Sequence, residues 1–189
     1  HHLHPFTIHH ELRETGPRVI THAEGVYIYD EDDNRILDGM AGLWCVQLGY
    51  GRQELVDVAA EAMKTLSYYN YFFQTTTPYG AKLADLIAQK TPEGLDHITF
   101  ACSGSEAVDS AIKLIWYYWN LKGKPEKKAI ISRERAYHGV TVAAGCLTSL
   151  PANLAHFDAP LDAMGILRTH HPHYYRGKQG NENPEQFVD

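Results

Sequence analysis

The sequence predicts an α/β fold, a mostly parallel sheet flanked by helices and preceded by a small β-hairpin. Three observations carry this expectation. The apolar segment His97-Ile-Thr-Phe-Ala101 leads through Cys102-Ser-Gly-Ser-Glu106 into a long apolar stretch ending near Leu121. Gly123-Lys-Pro125 breaks that stretch, and Lys128-Ala-Ile-Ile-Ser132 opens a second apolar run. A strand, a helix and a strand in that order predict a right-handed crossover and parallel pairing. Gly165-Ile-Leu-Arg-Thr169 supplies one more strand.

The other elements follow in chain order. Residues from His1 to about Arg18 read as irregular, with Pro5 and Gly16-Pro17 as breakers. Gly25–Tyr29 and Arg35–Leu37 alternate apolar and polar residues around the turn formers of Glu31–Asn34, which predicts a hairpin. In Gln53–Leu66, the residues Leu55, Val58, Ala59, Ala62, Met63 and Leu66 recur at spacings of three and four, which predicts an amphipathic helix. A second helix is expected from Pro78, a good first-turn residue, to Gln89. Between these two lies the aromatic loop Tyr68–Phe73. The helix that follows Ser103-Gly-Ser105 is apolar nearly all round (Val108, Ile112, Leu114, Ile115, Trp116, Trp119), as helices buried in a sizeable protein are. At the other end Asn183 reads as an N-cap and Pro184 as a first helical residue. The chain stops after about one further turn, so it reads as truncated. Residues 1–50 form an N-terminal segment with the hairpin, and 51–189 the first, incomplete part of a larger α/β domain.

Composition excludes several functions. A net charge of -6 with scattered basic residues argues against a nucleic-acid surface. No apolar run approaches the ~20 residues of a membrane span, and no basic-then-apolar leader opens the chain. Three widely spaced cysteines, Cys45, Cys102 and Cys146, suit a reduced, cytoplasmic setting. Histidine is abundant at 12, yet neither the His1–His10 group nor His170, His171 and His173 has HExxH spacing. Metal binding is therefore not expected, and these histidines should be exposed or hydrogen-bonded.

The sharpest chemical signal is the turn at Ser103-Gly104-Ser105. A helix start presents unpaired N–H groups and the positive end of the macrodipole. Gly104 admits close approach of an anion, and two serines add hydroxyl donors, a combination that suits a phosphate. An ordinary N-cap serine with a glycine turn fits the same residues, and spacing does not decide between the two. There is no Gly-x-Gly-x-x-Gly, no Walker A lysine and no Gly-x-Ser-x-Gly, which disfavours a dinucleotide, a nucleoside triphosphate and a serine hydrolase. Tyr137-His138-Gly139 follows the strand at 128–132, so Tyr137 could approach the turn and stack on a flat cofactor, or simply pack on the sheet edge.

Taken together, Ser103–Ala107, Ala111–Leu114 and Ala136-Tyr-His-Gly139 resemble the class III aminotransferases, in particular the omega-amino acid and amine:pyruvate branch. The likeness extends to Asp38–Cys45, Gly49-Tyr-Gly51, Tyr69-Asn70, Phe72-Phe73 and Pro172–Arg176. The resemblance implies a fold type I transferase dependent on pyridoxal 5'-phosphate (PLP), a homodimer with active sites shared between subunits. Ser103, Gly104 and Ser105 would hold the cofactor's phosphate. Tyr137 would stack on its ring, with His138 and Gly139 shaping that turn. Phe6 and Trp44 would wall the substrate pocket, and Phe72 would reach the pocket of the partner subunit. Glu106 would be structural. Cys102 and Val108 depart from the asparagine common at those places.

The implied reaction is ping-pong amino transfer from an amine or omega-amino acid to a keto acid such as pyruvate. Another class III reaction, a decarboxylation or an aminomutase step, stays open, as does a non-catalytic protein on the same scaffold. The aromatic residues of the expected pocket favour an apolar donor. The Schiff-base lysine and the carboxylate facing the pyridinium nitrogen would both lie downstream, since no lysine here suits the role. Residues 1–189 alone are therefore expected to be inactive.

Overall fold

In the computed structural model, which describes residues 2–177 and 183–188, the N-terminal stretch is not irregular throughout but forms α1 (His9–Thr15). Its N-cap, Ile8, offers no capping side chain, and Gly16 ends it at a φ of 72°. Neither the start signal nor an apolar stripe was there to be read. A three-stranded antiparallel sheet follows, in the order β1 (Ile20–Glu24), β2 (Tyr27–Asp30), β3 (Arg35–Leu37). The hairpin β2–β3 is the expected one, with Ile28 opposite Ile36. β1 was unexpected, because Ile-Thr-His-Ala-Glu alternates weakly; its His22 ring stacks on Tyr29 at 4.3 Å. Asp30 organises the turn by accepting N–H bonds from Asp32 and Asn34 and a side-chain bond from Asn34.

Next come α2 (Ala41–Trp44), α3 (Gln53–Leu66) and α4 (Pro78–Ala88). α3 has the predicted bounds, yet none of its residues is buried. The chain divides into two packed units, one through Ala81 and the other from Lys82.

The second unit holds α5 (Gly104–Leu121), β4 (Ile130–Arg133), α6 (Val142–Leu147), α7 (Pro151–Leu154), β5 (Ile166–Thr169), α8 (Tyr174–Gly177) and α9 (Pro184–Val188). β4 and β5 pair in parallel, with Ile130 opposite Ile166 and Arg133 opposite Thr169. One expectation fails here. The segment 97–101 joins no ladder among the described residues, so the parallel pair is β4–β5, connected through α6 and α7. A strand is held by its neighbour, and periodicity says nothing about whether a neighbour is present. Within this chain α5 is covered along one stripe only. Ile112 alone is fully covered, while Leu114, Tyr117 and Leu121 are exposed. One stripe of the helix packs into the cluster of Ile112, Cys146, Leu147 and Ile166, flanked by Val108, Trp116 and Ile130. At the end, Asn183 caps α9 as expected. Its Oδ1 accepts the Gln186 N–H at 2.9 Å, and Gln186 Oε1 accepts the Asn183 N–H at 3.0 Å. Among the described residues no helix is long and apolar enough to cross a membrane.

Candidate functional site

The start of α5 is doubly capped. Ser103 is extended at φ -152° and ψ 161°, and its Oγ accepts the Glu106 N–H at 3.2 Å. Glu106 turns back, its carboxylate accepting the Cys102 N–H at 2.8 Å. That bond gives Glu106 a structural part in the cap. The N–H groups of Ser103, Gly104 and Ser105 have no acceptor among the described residues, as expected for a first helical turn. Space over Gly104 is open, with nothing within 4 Å of where a Cβ would stand. Three N–H groups, two hydroxyls and a helix dipole facing open space fit the phosphate of PLP.

The second wall of the site is the turn after β4. Val140 N–H donates to Ser105 Oγ at 3.0 Å, so residues 139–140 lie directly against the start of α5. Gly139 is required there. Its φ is 138°, and a Cβ would stand 2.6 Å from Ser105 Oγ and 2.8 Å from the Ala144 Cβ. The His138 N–H donates to Thr148 Oγ1 at 2.9 Å, and Thr148 Oγ1 donates to the Gly139 carbonyl at 2.9 Å. The Tyr137 ring between these fixed neighbours stays exposed. A serine oxygen that accepts one bond still has its proton to donate, so Ser103 and Ser105 remain available to an anion.

Three residues of this unit were not singled out in the sequence. Asp109 lies one turn after Ser105, on the same face. It accepts Thr141 Oγ1 at 2.8 Å and the Ala144 N–H at 2.9 Å, so its carboxylate caps α6. Thr148, just beyond α6, is fully buried. Arg168 on β5 reaches the far end of α6. It donates to the carbonyls of Cys146, Leu147 and Thr148 and to Ser132 Oγ. Burial pushes the Arg168 guanidinium below its ordinary pKa and the Cys146 thiol above its own. Asp109 was readable as a carboxylate past the first turn of an apolar helix; nothing local marked Thr148 or Arg168.

The three expected pocket aromatics belong to the first unit. Phe6, Trp44 and Phe72 are exposed by 75%, 73% and 71%. Trp44 sits in α2, a single turn that runs left-handed, with φ of 47° at Ala41, 59° at Gly42, 60° at Leu43 and 65° at Trp44. Three of those residues carry a Cβ, so the conformation is strained. Asp38 holds it. Its carboxylate accepts the Tyr50 hydroxyl at 2.7 Å, the Gly42 N–H at 2.7 Å and the Met40 N–H at 3.2 Å. The Tyr50 hydroxyl, then the Gly42 N–H, keep the Asp38 carboxyl below its ordinary pKa, and Asp38 raises that of Tyr50.

Among the described residues no lysine is hydrogen-bonded at the Ser103–Ser105 turn. Lys128 Nζ donates to the Trp116 carbonyl and to Asn120 Oδ1, and Lys127 Nζ lies 3.7 Å over the Trp119 ring. Both meet the far half of α5, about 18–24 Å from Gly104 at 1.5 Å per residue. Among the described residues no group of His, Cys, Asp or Glu converges to hold a metal ion. His171 departs from expectation, since both its ring nitrogens are buried with no hydrogen-bond partner among the described residues.

The family profile described as aminotransferase class III matches residues 9–185 of this chain. The chain belongs to the class III aminotransferases. This aminotransferase chain is 48% identical over 187 residues to the putrescine–pyruvate aminotransferase of Pseudomonas aeruginosa, covering 99% of itself and 40% of that protein. It is 41% identical to the mitochondrial gamma-aminobutyrate transaminase 1 of Oryza sativa subsp. japonica, of which it covers 36%. Its structure superposes on a thermostable (S)-enantioselective omega-transaminase from Thermomicrobium roseum with a TM-score of 0.93 at 40% identity. The omega-transaminase of Pseudomonas jessenii, solved in complex with PMP, gives 0.95 at 39% identity. Each of these two superpositions covers 100% of this chain and 41% of the relative's. The fold is thus that of the fold type I transaminases, of whose length this chain spans about two fifths.

Proposed function

We propose that the protein carrying this chain is a PLP-dependent transaminase that moves an amino group from an amine or omega-amino acid to a keto acid such as pyruvate. The observation that carries this reading is the start of α5, where free N–H groups and two serine hydroxyls face open space beside the 137–140 turn. Ser103, Gly104 and Ser105 hold the phosphate. Tyr137 covers the ring, and His138 and Gly139 set its distance from α5. When bound, PLP supplies the electron sink that amino transfer needs. Phe6 and Trp44 wall the donor pocket and Phe72 reaches that of the partner subunit, and their apolar surface favours an apolar amine. The putrescine–pyruvate and omega-transaminase relatives support the choice of donor and acceptor class. The functional unit is proposed to be a homodimer with shared sites.

The test uses the full-length protein. Its visible absorption is recorded alone, after adding an amine, and after adding pyruvate. A PLP band that bleaches with the amine and returns with pyruvate is the expected result. A protein with no band, or one whose bleached band no keto acid restores, refutes amino transfer.

A further inference from the structure

We infer that Thr148 and Ser149 form a strap that positions Tyr137, and that Arg168 locks the strap from behind. The inference rests on the proposed function in one respect only, that Tyr137 covers the cofactor ring.

The bonds come in two matched pairs. Ser149 grips the residue before Tyr137. Its N–H donates to the Ala136 carbonyl at 2.8 Å, and its Oγ accepts the Ala136 N–H at 3.2 Å. The same hydroxyl donates to the Arg133 carbonyl at 2.8 Å, tying the strap to the end of β4. Thr148 grips the two residues after Tyr137, accepting the His138 N–H and donating to the Gly139 carbonyl, both at 2.9 Å. Tyr137 is thus held between clamped neighbours on both sides. Thr148 is fully buried, so its bond to the Gly139 carbonyl forms away from water, where an unmade one leaves an unsatisfied group.

The strap itself cannot drift. Thr148 N–H donates to the Ala144 carbonyl at 3.1 Å, and the Thr148 carbonyl receives Arg168 Nη2 at 2.8 Å. Arg168 also takes the carbonyls of Cys146 and Leu147. These are C-terminal groups of α6 that a helix end leaves without partners. Among the described residues no carboxylate pairs with Arg168. Its fan of donors is spent on the backbone of the strap and on Ser132. Thr148 and Arg168 are therefore positioning residues: they act on the cofactor through Tyr137, across sequence separations of 10 and 20 residues.

The experiment compares the full-length protein with Thr148→Val, which keeps the shape and loses the hydroxyl, and with Thr148→Ser, which keeps the hydroxyl. Apoprotein is titrated with PLP, and the circular dichroism of the cofactor band reads how firmly the ring is held. Thr148→Val should weaken PLP binding about tenfold and reduce that dichroic band, the loss expected for one buried hydrogen-bond clamp. Thr148→Ser should restore both. A Thr148→Val protein that melts earlier but keeps wild-type affinity and dichroism would show a merely structural threonine and overturn the inference.

Amide exchange of His138 in the unaltered apoprotein needs no variant to fold. Protection comparable to β4 supports the clamp, and exchange at free-loop rates overturns it. If the unaltered protein ignores PLP, the proposed function fails, whereas His138 protection would still uphold the strap.

Discussion

Adding one methyl group at Gly139 tests the geometry of the whole site. In Gly139→Ala the new Cβ stands 2.6 Å from Ser105 Oγ, 2.8 Å from the Ala144 Cβ and 3.0 Å from Ser105 Cα. Favourable carbon contacts lie at about 3.5–4.0 Å, so three atoms must yield at once. Overpacking of this kind costs about 1–3 kcal/mol. The backbone adds its own term, since a φ of 138° lies where residues with a Cβ are rarely found, at a cost of about 1–3 kcal/mol. Together they predict a loss of about 2–6 kcal/mol. The cheapest relief moves the turn away from α5, which breaks the Val140–Ser105 bond and carries Tyr137 with it. Urea unfolding of the full-length protein at fixed concentration reads the first effect, and PLP titration reads the second as a weakening of at least about tenfold. An alanine variant with an unchanged unfolding midpoint and unchanged PLP affinity would refute the close approach of residue 139 to Ser105.

Ser103→Asp separates capping from phosphate binding. Aspartate caps as well as serine, so stability should hold within about 0.5 kcal/mol, while its charge beside the phosphate should abolish PLP binding in the same titration. Ile112→Ala opens a cavity in the cluster with Cys146, Leu147 and Ile166 and should cost about 2–5 kcal/mol in urea unfolding. For Asp38, a folded pKa below the ordinary value means stability that is present above pH about 4 and lost as pH falls through the folded value. Tyr50, with its pKa raised, loses its contribution as pH climbs above about 10. The difference in melting temperature between the protein and Asp38→Asn should therefore be full at pH 7 and shrink below pH about 4; a difference independent of pH would count against the Asp38 clamp. Trp44→Ala should change the ratio of rates on bulky and small amines, and an unchanged ratio removes Trp44 from the pocket.

Local chemistry and local period were enough for much of this chain. The bounds of α3 followed from its three-and-four spacing, and the start of α5 from Ser103 and Gly104. The hairpin followed from turn residues between alternating strands, and the cap of α9 from Asn183 and Pro184. Each of these depends on residues within about four positions of one another, the range over which helix and turn preferences act. The start of α5, where the phosphate is proposed to sit, was legible for the same reason. Its donors are consecutive residues at one helix start.

Pairing and cover were decided only in three dimensions. Segment 97–101 has the composition of a strand but no ladder partner among the described residues, and β1 has a weak pattern yet pairs with β2. The apolar surface of α5 could not say which stripe α6 and β5 would cover. The residues that brace the candidate site were the least visible. Asp109 meets Thr141 and Ala144 across 32 and 35 positions, Ser105 meets Val140 across 35, and Arg168 meets the end of α6 across 20 to 22. Hydrogen bonds are selected by distance and angle in the folded chain, whereas a sequence records only which groups are able to make them.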